Sequence, residues 1–121
     1  MSLLLERLNA ARSLNDLCDE ALRIANEHGF TDATPAEDIA LMHSELSEAL
    51  EDIRNGRGMS VLEYEATPNG LKPIGVPSEL ADVVIRIFHF CGKHGINLDH
   101  AVKQKMLYND SRPYRHGGKK L

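Results

Sequence analysis

Apolar residues recur at a helical period in four separate segments of this chain, and this pattern limits the possible folds more than any other feature. The segments cover residues 3–28, 34–55, 77–94 and 97–109. Each apolar stripe occupies one face of a helix, and such faces are buried when helices pack together. The sequence therefore predicts an all-α fold, a four-helix bundle.

Capping and terminating residues mark the boundaries of these helices. Thr34 is a favoured N-cap residue, Pro35 suits the first helical position, and Glu37 can complete a capping box. Gly29 follows the first segment at a position where helices commonly stop, and Pro113 forbids continuation of the fourth. These residues predict where the helices begin and end.

Residues 56–77 form the longest connection, with 22 residues that include repeated glycines and prolines. Connections of this length are usually functional or disordered. Residues 61–65 are predicted to form a short strand or an extra helical turn, and the rest of the connection is predicted to be a loop.

The length and composition of the chain set further limits. Residues 1–121 are predicted to form a single domain. The longest apolar runs are far shorter than the roughly 20 residues that a membrane-spanning helix needs. The first residues lack the basic region of a signal peptide, so a cytoplasmic location without membrane association is expected. Cys18 and Cys91 fall in apolar helical stripes and are predicted to be buried free thiols.

The third helical segment is apolar around most of its circumference. A helix of this kind is packed on most sides, and a chain of 121 residues offers few partners for it. We therefore expect a homo-oligomer. The polar stripe that interrupts the apolar surface is thin and consists of Glu79, Asp82, Arg86, His89 and Lys93.

Two pairs of acidic residues stand three positions apart on predicted helices. Glu45 and Glu48 form one pair, and Glu79 and Asp82 form the other. Residues at this spacing are neighbours on a helical face, where like charges repel each other. Four carboxylates from two facing helices would provide hard oxygen ligands for magnesium or manganese. The pairs therefore predict a divalent-metal site.

Each pair also has a simpler explanation. Glu79 and Asp82 fall in the first turn of a helix, where acidic side chains interact favourably with the helix dipole. Glu45 and Glu48 lie in mid-helix, where the dipole gives no such reason, and the simpler explanation for them is a solvated acidic face. The alternative to a metal site is therefore a non-catalytic helical interaction module whose acidic faces are solvated.

Charge is distributed unevenly along the chain. Residues 1–102 contain eight basic and 17 acidic side chains, whereas residues 103–121 contain six basic and one acidic side chain. This distribution suggests that an anion is held near the basic C-terminal tail, residues 110–121. The acidic remainder of the chain argues against a stable complex with nucleic acid.

Lys105, Asn109 and Arg112 recur at steps of four and three residues near the end of the fourth helix. Lysine and arginine form charge-assisted hydrogen bonds to phosphate oxygens, and asparagine can orient a further oxygen. These three residues therefore predict a phosphate site, and a merely solvated basic terminus is the alternative.

Together, the acidic pairs and the basic segment resemble the MazG-like family of all-α nucleoside triphosphate pyrophosphohydrolases. The resemblance covers residues 25–116. It implies a magnesium-dependent enzyme that cleaves between the α- and β-phosphates, and a homodimer or homotetramer with sites between helices and subunits. The residues that carry it are Glu45-x-x-Glu48, Glu79-x-x-Asp82 and the segment from Lys105 to Tyr114.

The resemblance also implies roles for individual residues. The four carboxylates, Glu45, Glu48, Glu79 and Asp82, would bind magnesium, and Lys105, Asn109 and Arg112 would hold the phosphates. Two features depart from the family pattern: the gap of 30 residues between the acidic pairs is slightly long, and the chain has no tryptophan to contact the base. Three other aromatic residues could take that place, namely Phe30, Tyr64 and Phe88.

Hydrolysis of a phosphoanhydride depends mainly on charge neutralisation and alignment. Either Glu45 or Glu48 is expected to take the proton from the attacking water, and Lys105 and Arg112 are expected to stabilise the departing pyrophosphate. A di-iron carboxylate bundle would require Glu-x-x-His pairs. No glutamate in the chain has a histidine three residues later, which argues against that class.

Overall fold

A computed structural model describes residues 3–118 and residue 120 of the chain, which are mainly helical. This helical character agrees with the sequence prediction, and a small antiparallel sheet is an addition to it. No helix in residues 3–118 is both long and apolar enough to cross a membrane. The elements are α1 (Leu3–Ala10), α2 (Leu14–Glu27), α3 (Pro35–Arg54), β1 (Glu63–Thr67), β2 (Gly70–Ile74), α4 (Val76–His94), α5 (Leu98–Ser111) and the short α6 (Arg115–Gly118).

The two strands form a hairpin within the long connection. Thr67 pairs with Gly70 across a two-residue turn. The Thr67 hydroxyl donates to the Gly70 carbonyl oxygen at 2.7 Å and accepts from the Asn69 N–H at 3.2 Å, which closes the turn. Pro73 obscures the second strand in the sequence, but a two-stranded sheet has free edges where proline is tolerated. Of the two alternatives predicted for residues 61–65, the short strand is the one that forms, as β1 two residues further along the chain, and its pairing with β2 was not predicted.

The first predicted helix is divided into α1 and α2. Ser13 is the N-cap of α2, and its hydroxyl accepts a hydrogen bond from the Asp16 N–H at 3.3 Å. The Asp16 carboxylate in turn accepts from the Arg12 N–H at 2.8 Å. The Ser13 hydroxyl thus satisfies one N–H group that a helix start leaves unpaired, and the Asp16 carboxylate fixes the chain that enters the helix. The prediction of one continuous helix over residues 3–28 is therefore wrong.

The other helix boundaries agree closely with the sequence prediction. Thr34 and Glu37 form a complete capping box at the start of α3, with hydrogen bonds of 3.2 and 3.0 Å. Asn97 caps α5 by accepting from the His100 N–H at 3.1 Å. Gly95 ends α4 in the left-handed conformation, which glycine adopts without strain.

Helix α4 is the centre of the fold, because it packs against α2, α3 and β2, while α5 lies against α2. At Gly92 the backbones of α4 and α2 lie close together, since a Cβ atom there would lie 2.7 Å from the carbonyl oxygen of Cys18. Cys18 and Cys91 are buried and free, as the sequence predicts. Burial raises the pKa of Cys18 to about 11, so this thiol stays protonated at neutral pH.

Few side chains are buried within one chain. The accessible surface is 9041 Å², whereas a globular monomer of 13.5 kDa has about 6,500 Å². Many leucines, isoleucines and valines remain exposed, including several on α3 and α4. Among the residues that the structure describes, the buried apolar ones are Cys18, Ala49, Val76, Val83 and Cys91, and Val76 is the largest that is fully buried.

Candidate metal centre and adjoining cavity

Three carboxylates from two helices converge where α3 and α4 pack together. Glu45 and Glu48 lie one turn apart in the middle of α3, and Glu79 lies in the first turn of α4. One oxygen atom of each lies within 4.8 Å of the others. The structure thus brings together three of the four predicted metal ligands. We call Glu45, Glu48 and Glu79 the carboxylate group.

Asp82, the fourth predicted ligand, lies outside the carboxylate group. It is largely exposed, and it lines a neighbouring cavity together with Glu45. Partial burial of its carboxyl raises the pKa of Asp82 above the ordinary value, and the Glu45 carboxylate raises it further. The two side chains therefore interact electrostatically, and direct binding of a cation by Asp82 stays a prediction.

Glu79 is the most strongly perturbed acid of the carboxylate group. Burial, a hydrogen bond with Glu48 and the negative charges of Glu48, Asp82 and Asp52 raise the pKa of Glu79 from 4.5 to about 7. Its Oε2 atom is buried and has no hydrogen-bond partner among the described residues. Buried polar atoms are nearly always paired. A favourable helix start therefore does not explain this side chain.

Asp52 extends the acidic face of α3 by one turn beyond Glu48. Its Oδ2 atom is also buried without a partner in the described part of the chain, and its Oδ1 atom lies 3.5 Å from Nε of Arg57. The charge of Asp52 adds to the field that raises the pKa of Glu79. The sequence places Asp52 in the same helical stripe, but its effect on Glu79 depends on how α4 packs against α3.

The chemistry of the carboxylate group fits a hard divalent cation. Its donors are all carboxylate oxygens, the ligand type that magnesium and manganese prefer. A cation would offer the unpaired Glu79 oxygen a partner and would offset the negative charges that raise the pKa of Glu79. Exposed acidic groups are common without a metal. The buried and unpaired oxygen is what distinguishes this group from them.

A basic side chain from α4 neutralises part of this acidic region. Nε and Nη2 of Arg86 each lie 3.0 Å from Oε1 of Glu45. The Glu45 side chain is 14% exposed and the Arg86 side chain 39%. The sequence places Arg86 in the polar stripe of the third helix, but it gives no sign of this partner, because the pairing forms across two helices.

A cavity of about 520 Å³ lies beside the carboxylate group, between α2, α3, α4 and the connection from α2 to α3. Glu45, Asp82 and Arg86 belong to its lining, so it is continuous with the acidic region. Its volume is within the range of about 300–1,000 Å³ that is typical of small-molecule sites. The apolar lining side chains are Ala21, Ile24, Ala25, Phe30, Ala33, Leu41 and Ile85.

Phe30 contributes an exposed aromatic ring to this lining. It is 72% exposed and lies in the connection between α2 and α3. The two other aromatic residues considered for contact with a base lie elsewhere: Tyr64 is on β1 and Phe88 is on α4, and neither lines the cavity. Of these three aromatic residues, Phe30 is the one that lines the cavity.

Two polar residues without a predicted functional role, Asp38 and His89, form another part of the lining. Asp38 is 9% exposed and accepts a hydrogen bond from Lys93 Nζ at 2.9 Å, and Nζ also donates to the Ala33 carbonyl oxygen at 2.9 Å. His89 lines the cavity too, and burial lowers the pKa of its imidazole. Because Asp38 lies in the first turn of α3, where an acid is expected, no sequence signal marks it as part of a cavity.

The predicted phosphate-binding residues lie apart from the carboxylate group within one chain. Lys105 and Asn109 are on α5, and Arg112 is its C-cap. Lys105 Nζ and Arg112 Cζ lie 5.3 and 5.6 Å from the centre of the Tyr108 ring. None of the hydrogen bonds and ion pairs of the described residues joins them to the carboxylate group. Helix α5 contacts α2 instead.

Comparisons of the chain with protein-family models, with curated proteins and with solved structures found no match. The resemblance to the MazG-like family therefore rests on the motif residues of the chain itself. It stays a prediction.

Proposed function

We propose that the chain is a magnesium-dependent nucleoside triphosphate pyrophosphohydrolase, which produces a nucleoside monophosphate and pyrophosphate. The observation that supports this is the carboxylate group, with its buried and unpaired Glu79 oxygen, beside an apolar cavity of about 520 Å³. An acidic group alone would fit many solvated surfaces, and a cavity alone would fit many ligands. Their combination suits a substrate with a charged phosphate chain at one end and a flat base at the other.

The carboxylate group would hold the magnesium ion, with Asp82 as a further candidate ligand. A bound magnesium ion would neutralise negative charge on the phosphates and lower the pKa of a bound water molecule. The Glu45 side chain is only 14% exposed, whereas the Glu48 side chain is exposed and accessible to water. Glu48 is therefore the better candidate to take the proton from the attacking water. Manganese has the same preference for oxygen ligands and could replace magnesium.

The cavity would receive the nucleoside part of the substrate. Stacking of a base on an aromatic side chain contributes about 1–3 kcal/mol, and Phe30 presents its ring in the lining. The other apolar walls would exclude water from the bound base. This arrangement would place the phosphate chain toward Glu45, Asp82 and Arg86, which line the same cavity.

The thin core supports assembly with further copies of the chain. The accessible surface exceeds that of a typical monomer by about 2,500 Å², an area of the size that obligate homodimers bury. We propose a homodimer or homotetramer in which α3 and α4 of different copies join in four-helix bundles. Exposed apolar residues on these two helices include Leu46, Leu50, Ile53, Leu80 and Val84.

A second copy would also complete the site. Lys105, Asn109 and Arg112 do not contact the carboxylate group of their own chain, and α5 has no buried residue of its own. An exposed helix with apolar side chains is stabilised when it packs on another subunit. In the assembled protein, α5 of one copy would therefore supply phosphate-binding residues to the carboxylate group of another.

Release of pyrophosphate from nucleoside triphosphates in the presence of Mg²⁺ tests the proposed activity. We expect the wild-type protein to form nucleoside monophosphate and pyrophosphate in equal amounts. Glu48→Gln should lower kcat by at least about 100-fold, because it removes the proposed base and one negative charge of the metal site. Glu51→Gln is the matched control, since Glu51 lies on the same helix with its side chain 63% exposed, and it should stay fully active.

Two outcomes would count against this function. A fully active Glu48→Gln protein would show that the reaction does not depend on the carboxylate group. A wild-type protein that releases no pyrophosphate from common or oxidised nucleotides, with either Mg²⁺ or Mn²⁺, would favour the non-catalytic helical interaction module. The exposed apolar side chains of α3 and α4 are the observation that favours this alternative, because a partner protein could cover them.

A further inference from the structure

Arg86 lies between the two parts of the proposed site. It is the only lysine or arginine among the described residues that line the cavity. Two of its nitrogen atoms also contact the carboxylate group, and both lie 3.0 Å from the same atom, Oε1 of Glu45. Both of these guanidinium nitrogen atoms therefore contact the same carboxylate oxygen.

The carboxylate group needs a nearby positive charge in the absence of a metal. Carboxylates with oxygens within 4.8 Å of one another repel each other strongly in a partly buried site. Arg86 reduces this repulsion at Glu45, which is only 14% exposed. A divalent cation would supply two positive charges to the same carboxylates, and the guanidinium would then no longer be needed at Glu45.

We infer that Arg86 exchanges partners when the site is filled, an inference that rests on the proposed function. In the metal-free protein, Arg86 is the counter-ion of Glu45. When cation and nucleotide bind, Glu45 becomes a cation ligand, and Arg86 moves to a phosphate oxygen of the nucleotide. Arg86 is then a substrate-binding residue whose second role is to hold Glu45 in the empty site.

Three properties of Arg86 favour a phosphate as its second partner. Its side chain is 39% exposed, so it can change position without opening a void in the core. Its guanidinium can bind two phosphate oxygens at once. It also lines the cavity already, whereas Lys105 and Arg112 are on or next to α5 and line no part of it.

Two calorimetric titrations of Arg86→Gln test the exchange. With Mg²⁺ alone, the variant should bind the ion about three- to ten-fold more tightly than the wild-type protein, because a competing positive charge has been removed. With α,β-methylene ATP and α,β-methylene CTP at saturating Mg²⁺, it should bind these uncleavable nucleotides at least about ten-fold more weakly. The reason for the second effect is the loss of a charged hydrogen bond to phosphate.

Arg23→Gln is the matched control. Arg23 on α2 forms a comparable pair with Glu20, at 3.0 and 2.9 Å, and its side chain is 31% exposed. It does not line the cavity. This variant should bind Mg²⁺ and both nucleotide analogues like the wild-type protein.

The exchange would be supported if Arg86→Gln binds Mg²⁺ more tightly and the nucleotide analogues more weakly than the wild-type protein does. If Arg86→Gln binds Mg²⁺ equally or more weakly, Arg86 only orients Glu45, and the exchange is overturned while the proposed enzyme stands. Unchanged binding of both analogues overturns it as well. A wild-type protein that binds neither Mg²⁺ nor Mn²⁺ would overturn the proposed function and the exchange together.

A measurement on the wild-type protein covers the case in which Arg86→Gln does not fold. The NMR resonance of the Arg86 Nε–H group reports on the atom to which this group donates. We expect it to shift on addition of Mg²⁺ and to shift again on addition of α,β-methylene ATP. A resonance that stays in place through both additions would overturn the exchange.

Discussion

Among single residues, Glu79 differs most from an ordinary surface acid, because its pKa is raised from 4.5 to about 7 and its buried oxygen is unpaired among the described residues. When folding raises the pKa of an acid, ionising that acid costs folding stability. The cost is absent below the unfolded pKa and is fully reached once the pH exceeds the folded pKa. The penalty that Glu79 imposes on folding is therefore small near pH 4.5 and complete above about pH 7. A functional site is a place where a protein can retain such a penalty.

Glu79→Gln should therefore stabilise the metal-free protein. At pH 8 we expect an increase of roughly 1–2 kcal/mol in the free energy of unfolding, less than the full pKa shift implies because solvent screens this partly exposed site. The gain should shrink as the pH falls toward 5. Scanning calorimetry with a chelator, at fixed protein concentration, measures both values.

The same variant should no longer be stabilised by Mg²⁺, whereas the wild-type protein should unfold at a higher temperature when Mg²⁺ is added. A variant that is less stable than wild type at pH 8 would show that Glu79 is simply a favourable acid at a helix start. A variant that still gains stability from Mg²⁺ would exclude Glu79 as a ligand.

Spacing rules predict some residues of the site and not others. The three-residue spacing of Glu45 and Glu48 follows from helical geometry alone, so the sequence suffices to place them side by side. Other residues take their roles from partners on another helix. Arg86 pairs with Glu45, which is 41 residues away in the sequence, and Lys93 pairs with Asp38, which is 55 residues away. Such pairings depend on how helices pack, and a single sequence gives no signal for them.

Among the elements, the crossing of α2 and α4 depends on Gly92. A Cβ atom at this position would lie 2.7 Å from the backbone oxygen of Cys18 and 3.1 Å from Cβ of Leu22. Alanine normally favours a helix over glycine by about 1 kcal/mol. Here we expect Gly92→Ala to destabilise the protein by about 1–3 kcal/mol, because backbone atoms have to move apart.

Chemical denaturation of Gly92→Ala checks this expectation, with Gly58→Ala as the control. Gly58 has an ordinary φ, and an added Cβ atom would only touch the Val61 side chain at 3.9 Å. That control should change stability by less than about 0.5 kcal/mol. If Gly92→Ala is as stable as wild type, the two helices can separate without loss and Gly92 does not set their distance.

Element boundaries follow from the sequence where a capping residue coincides with a change in the apolar pattern. Thr34 is such a case, since its capping box precedes a new stripe. Ser13 is the opposite case, because the apolar spacing continues across it and hides the cap that separates α1 from α2. Pro73 hides β2 in the same way, since a proline argues against a strand unless the edge is known to be free.

On the scale of the whole molecule, the predicted functional groups lie in two regions that do not meet within one chain. The carboxylate group and the cavity lie among α2, α3 and α4, whereas the residues predicted to bind phosphate lie on or next to α5. Charge is divided in the same way, because acidic side chains predominate in residues 1–102 and basic side chains in residues 103–121. The sequence predicts both regions, but no local pattern encodes how the helices that carry them pack, either within one chain or in the proposed assembly.

Mixed assemblies test whether one site takes residues from two copies. Glu48→Gln should disable the carboxylate group, and Arg112→Ala should disable the phosphate-binding end of α5, so each variant alone should keep at most about 1–5% of wild-type activity. If sites are shared, a mixed dimer has one site with both defects and one site with neither. Co-expression of the two variants in equal amounts should then restore up to about a quarter of wild-type activity.

Activity that only equals the average of the two separate variants would show that each copy supplies its whole site. Helix α5 would then have to reach the carboxylate group of its own chain by a movement within that chain.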